Sequence, residues 1–136
     1  MADNFDVLGS TWAEELQPDG STIDVQQVQI KATPSGVVFA VRIPVAALSD
    51  QAVVAAATPL ADVFNGTAGI AQVMSITTLQ ETNTAGQLED VVQATIRSTS
   101  GKSTSLVELP LTEVLRGRLP EAVGVLVAEL DEIEAL

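Results

Sequence analysis

The chain has no histidine, no cysteine and no tyrosine in 136 residues, and six basic side chains stand against eighteen acidic ones. Without histidine it lacks the usual proton shuttle at neutral pH and the commonest metal ligand. Without cysteine it lacks the thiolate nucleophile, the soft metal ligand and any disulfide. Carboxylate, lysine, serine or threonine designs are the catalytic options left, and none of them has a histidine base to activate it. Aromatics are scarce too: Phe5, Trp12, Phe39 and Phe64 are all there are.

The length suits one domain that buries its own core without staples. The apolar content of 46% is ordinary and rests on Ala, Val, Leu and Ile. A formal charge of −12 repels nucleic acid and anionic membranes. It keeps a free chain in solution and suits a basic partner surface. The stretch Ala46–Ala57 is interrupted by Ser49, Asp50 and Gln51 and is too short to cross a membrane. The start, Met1 to Asp6, has neither a basic n-region nor an apolar h-region, so the expectation is a protein made in a cytoplasm.

Residues 1–20 carry no clear period and end on the turn signal Pro18-Asp19-Gly20, so they are expected to form an N-terminal arm ahead of a single domain over 21–136. Residues 22–44 predict a β-hairpin turning at Thr33-Pro34-Ser35-Gly36. Val37, Phe39, Val41 and Ile43 alternate in its second strand, while the apolar phase of the first flips at Gln26-Gln27, as a bulge or a switch of face would make it do. Residues 49–65 predict a helix capped by Ser49 or Asp50 and stopped at Asn65-Gly66, with Pro59 forcing a kink or a division into two. Three strands follow, over 70–82, 88–98 and 103–109, as a meander. A short helix near Thr112 and a longer one from about Pro120 complete the chain. Leu119, Val123, Leu126, Val127, Leu130 and Ile133 share the apolar face of the longer helix. The predicted class is α+β: mainly antiparallel sheet, a hairpin plus a three-strand meander, with a kinked central helix and a C-terminal amphipathic helix. No internal repeat or low-complexity tract stands out.

No motif carries chemistry. Gly101-Lys102-Ser103-Thr104 ends like a phosphate loop, but the earlier glycine that loop needs is replaced by Ile96, and strand follows instead of helix. Glu81, Glu89 and Asp90 flank a turn without the oxygen density of a calcium loop. Arg116 and Arg118 are placed to pair locally with Glu113 and Glu121. No catalytic, cofactor-binding or metal-ligating residue is assigned, and no cofactor. The candidate interface residues are Phe5 and Trp12 on the arm and Asp131, Glu132 and Glu134 on the last helical turns. Aromatics are favoured interface anchors, and acids at a helix C-terminus oppose its dipole and invite a basic neighbour.

The acidic arm running into Leu16-Gln17-Pro18-Asp19-Gly20-Ser21-Thr22, followed by Thr33-Pro34-Ser35-Gly36-Val37-Val38-Phe39, resembles the opening of small minor tail or baseplate-type virion proteins of tailed phages of high-GC bacteria. The resemblance covers about the first third of the chain and brings no catalytic residues. It implies a non-enzymatic structural subunit of the tail or head–tail region, located in the virion. Its partners would be copies of itself and other virion proteins, with no nucleic acid, membrane or small-molecule substrate. The competing class is a cytoplasmic acidic adaptor or secretion-chaperone-like binding module.

Overall fold

The computed structural model describes residues 4–136. Two three-stranded antiparallel sheets and three helices make up the described residues, an α+β architecture. Strands β1 (Phe5–Leu16), β2 (Thr22–Ala32) and β3 (Val38–Pro44) form the first sheet in that spatial order. A 3-10 turn at Val45–Ala47 leads into helix α1 (Asp50–Ala68). Strands β4 (Val73–Thr82), β5 (Leu88–Arg97) and β6 (Thr104–Pro110) form the second sheet, followed by α2 (Leu111–Leu115) and α3 (Arg118–Glu134).

The chain is a structural duplication. A shift of 66 residues, 38 to 104, carries β3 onto β6 end for end. The same shift carries the bulge between Val7 and Gly9 onto that between Val73 and Ser75. It also carries the turn bonds Gln17 N to Ser21 O and Ala32 N to Val37 O onto Asn83 N to Gln87 O and Ser98 N to Ser103 O. Gly20 and Gly86, which occupy equivalent turn positions, both have positive φ, a conformation that costs glycine alone nothing. Helix α1 ends at Ala68 and α3 at the matching Glu134. The repeat that was not apparent in the sequence is therefore present in the fold, as two units of three strands followed by a helix.

One expectation is corrected, and two alternatives left open by the sequence are narrowed. Residues 5–16 are not an arm. They pair with β2 along its whole length, because Phe5 and Val7 fall on the inner face opposite Ala32 and Ile30. The sequence period is hidden by the bulge at Leu8, which shifts the alternation by one. The phase flip at Gln26-Gln27 is a change of face: the β2–β3 register is continuous, and Val25 is buried on the side opposite Val28 and Ile30. Helix α1 runs through Pro59 without dividing into two, which leaves the kink as the alternative that Pro59 imposes. The proline and Ala55, whose carbonyl it leaves without a donor, both lie on the exposed face, where water can satisfy the carbonyl.

Ser49 caps α1 by accepting from the Ala52 N–H at 3.0 Å. The helix runs past Asn65-Gly66 to Ala68, and Asn65 acts as a clamp instead of a stop. Its amide donates to Thr33 O at 2.8 Å and accepts from Ser35 N at 3.2 Å, fixing the β2–β3 turn to the helix. The inner faces of both sheets and the helices close on one core containing Phe39, Phe64, Ile30, Ile96, Leu119 and Val123. The Phe39 and Phe64 rings meet at 5.1 Å between centroids in a tilted contact.

Candidate functional site

The five residues singled out from sequence do not form one site. Phe5 is 6% exposed and belongs to the core, so it is not an interface anchor. Trp12 is 60% exposed on β1, the outer strand of its sheet. Asp131 and Glu134 are engaged at home. Asp131 accepts from the Thr99 N–H at 2.7 Å and the Thr99 hydroxyl at 2.5 Å. Glu134 accepts from the Ser100 hydroxyl and from the Ser103 hydroxyl, the latter at 2.8 Å. Hydrogen bonds from Ser100, then Ser98, with smaller help from Ser103 and Lys102, hold the Glu134 carboxyl below the usual glutamate range. The end of α3 is therefore tied to the β5–β6 turn, and this seryl turn gives its carboxylates donors that the helix dipole does not. Glu132 remains exposed.

The residues that sequence reading missed lie where the two units meet. Arg42 on β3 and Asp90 on β5 form a bidentate pair at 2.9 and 3.0 Å, with side chains only 13% and 20% exposed. Thr78 donates to Val38 O at 3.1 Å, so β4 lies against the free edge of β3. Gln80 reaches Gln27 at 3.4 Å and Gln87 donates to Leu16 O at 3.2 Å, which lays the β4–β5 hairpin along the outer side of the first sheet. Asp90 thus belongs to this junction. Arg116 and Arg118 both pair with Glu113, at 3.2 and 3.0 Å.

The junction is one-sided, and equivalent positions show it. Leu60, Ala61 and Thr67 on α1 are at most 2% exposed. Their counterparts Leu126 and Val127 are only partly buried, and Ile133, counterpart of Thr67, is 62% exposed. In the other direction, Val114 is fully buried while its counterpart Leu48 is 44% exposed. The first unit presents one face to the second, and the second answers with a different face. One copy of each face is left uncovered: β6 with the outer side of α3, and β1 with the start of α1.

Beside β1 lies an apolar groove of about 580 Å³, floored by Phe5, Val7 and Val28 and walled by Leu48, Val53 and Val54. A second cleft of about 540 Å³ follows the junction and is lined by Gln27, Gln29, Thr78, Gln80 and Asp90 among others. Its amides and hydroxyls can bind polar groups, but they include no nucleophile set against a base. Among the described residues no group of three acidic side chains could hold a metal, and no helix is long and apolar enough to cross a membrane. No family model, curated protein or solved structure matches the chain.

Proposed function

We propose that this protein is a non-catalytic structural subunit that works through protein–protein contacts, in the tail or head–tail region of a phage particle. The observation that carries the reading is the pair of uncovered apolar faces, since each has an equivalent elsewhere in the same chain that is covered by protein. Apolar surface left exposed in this way marks an interaction site. The −12 charge keeps the unassembled subunit in solution. The virion assignment rests on the resemblance of the first third of the chain, and it places the partners as copies of the chain and neighbouring virion proteins. Native mass spectrometry and electron microscopy of the purified chain test the reading: rings, tubes or ordered oligomers support it. A second reading, an acidic adaptor or secretion-chaperone-like module, is favoured by the groove beside β1, which could take a segment of a client. A chain that stays a monomer or small closed dimer and binds a separate client would replace the first reading with the second.

A further inference from the structure

We infer that copies of this chain join head to tail, with β1 and the start of α1 of one copy seated on β6 and α3 of the next, in the way the second unit already seats on the first. The inference rests on the structural-subunit reading and names the surface and the occupant. The occupant is fixed by the chain itself. A face of this shape occurs twice, and in the one instance where it is covered, its cover is the equivalent of β1 and the segment leading into α1.

A joint between two unlike faces is heterologous, and a heterologous joint leaves a free end on each side. A joint between like faces would have buried the same residues in both units. The exposures of 0% at Thr67 and 62% at Ile133, and of 0% at Val114 and 44% at Leu48, exclude that. The groove beside β1 is the space that corresponds to where α1 meets β4 inside the chain. In the assembly it takes the outer side of α3, with Leu126, Val127 and Ile133 against Val7, Leu48 and Val53.

Carrying the internal contacts across gives the pairs at the new joint. Thr78 against Val38 becomes Trp12 against Thr104, a larger anchor in the same place. Gln80 against Gln27 becomes Glu14 against Gln93, which can still share a hydrogen bond. Arg42 against Asp90 becomes Glu108 against Asp24, and this pair is reversed in kind: two exposed carboxylates meet where the chain's own joint has an ion pair. Like charges set against one another cost stability. The joint between copies is therefore weaker than the joint within a copy, so the free subunit stays dispersed until it is concentrated in an assembly.

Sedimentation velocity over a concentration series tests this on the full chain. Glu108→Arg restores the ion pair and is expected to tighten self-association about tenfold or more. Ile133→Lys, at an exposed position that leaves the fold alone, is expected to weaken it by a similar factor. Because the chain has no cysteine, a mixture of the Trp12→Cys and Thr104→Cys variants under mild oxidation should yield a mixed disulfide dimer. Thr104→Cys alone should give none. Assembly that is indifferent to Glu108→Arg and Ile133→Lys, or a cross-link that forms only between two Trp12→Cys copies, overturns the inference and leaves the structural role standing on another surface. A chain that stays monomeric at every concentration, with or without Glu108→Arg, overturns it as well. The structural role would then rest on contacts with other proteins, read from the separate microscopy and mass measurement.

Discussion

Leu60 and Leu126 are the same residue at equivalent places on α1 and α3, and truncating each to alanine compares the covered face with the uncovered one. Leu60 is 2% exposed and lies in the core with Ala57, Ala61 and Phe64 around it on the helix. Leu60→Ala removes the transfer free energy of a buried leucine side chain and leaves a cavity, together about 2–5 kcal/mol. Leu126 is only partly buried, so less area returns to water and little or no cavity forms. Scaling the side-chain burial value of about 1.5–3 kcal/mol to part of the side chain leaves about 1 kcal/mol. Helix propensity favours alanine slightly at both sites and cancels in the comparison. Urea denaturation at low protein concentration, where copies are apart, measures the two losses. Leu60→Ala is expected to cost at least 1 kcal/mol more than Leu126→Ala, and at high concentration Leu126→Ala is expected to weaken association. Equal costs in dilute solution would refute the reasoning, because the two faces would then be equally covered within one chain.

A double-mutant cycle on Arg42→Ala and Asp90→Ala should give a coupling of about 1.5–3 kcal/mol in the same denaturation assay. This is the range for charge-assisted bonds that are mostly but not wholly shielded; a coupling near zero would mean that the pair does not join the units. Glu134, whose carboxyl is held below the usual range, contributes stability that is present above the ordinary glutamate pKa and lost as pH falls through its lowered value in the fold. Glu134→Gln should therefore flatten the acid limb of a melting-temperature profile, and an unaltered limb would count against the tie to the β5–β6 turn. Since both faces at the joint between copies carry acids, added salt should strengthen self-association by screening. Sedimentation across an ionic-strength series checks this, and weakening with salt would point to a basic partner surface instead.

The class of the fold, strands β3, β5 and β6 and the inward set Val92, Ala94 and Ile96 could be read from alternation alone, since each of these strands keeps its period within its own length. The first strand was hidden by a single bulged residue, Leu8, which puts Phe5 and Val7 out of step with Ser10 and Trp12. The fourth hides its period for the same reason. Met74 sits at the matching bulge and is 57% exposed, while Ile76 turns toward the core. The duplication escaped because the shared residues, such as Val25 and Val91, Ile30 and Ile96, or Pro44 and Pro110, are ordinary strand residues scattered through different surroundings. The matching glycines Gly20 and Gly86, with identical spacing to the strands on either side, were the signal that could have found it. The interaction surface was half visible. Trp12 stood out as a candidate aromatic anchor, though on a supposed arm, but Ile133 and Leu48 look like core residues on amphipathic segments. Only comparison with the covered Thr67 and Val114 reveals that a cover is missing. Asp131 and Glu134 looked free because no sequence rule places the hydroxyls of Thr99, Ser100 and Ser103 beside a helix end more than thirty residues away.

Hydrogen exchange on the full chain at low and high concentration tests the central claim most directly: two units share a one-sided joint, and the free ends of that joint meet between copies. The expected result is added protection at high concentration along 7–16, along β6 and in the second half of α3, with none added in β5 or in the second half of α1, which one copy already covers. Added protection confined to other surfaces, or the same protection at both concentrations on a chain that sediments as an oligomer only through other contacts, would contradict the account.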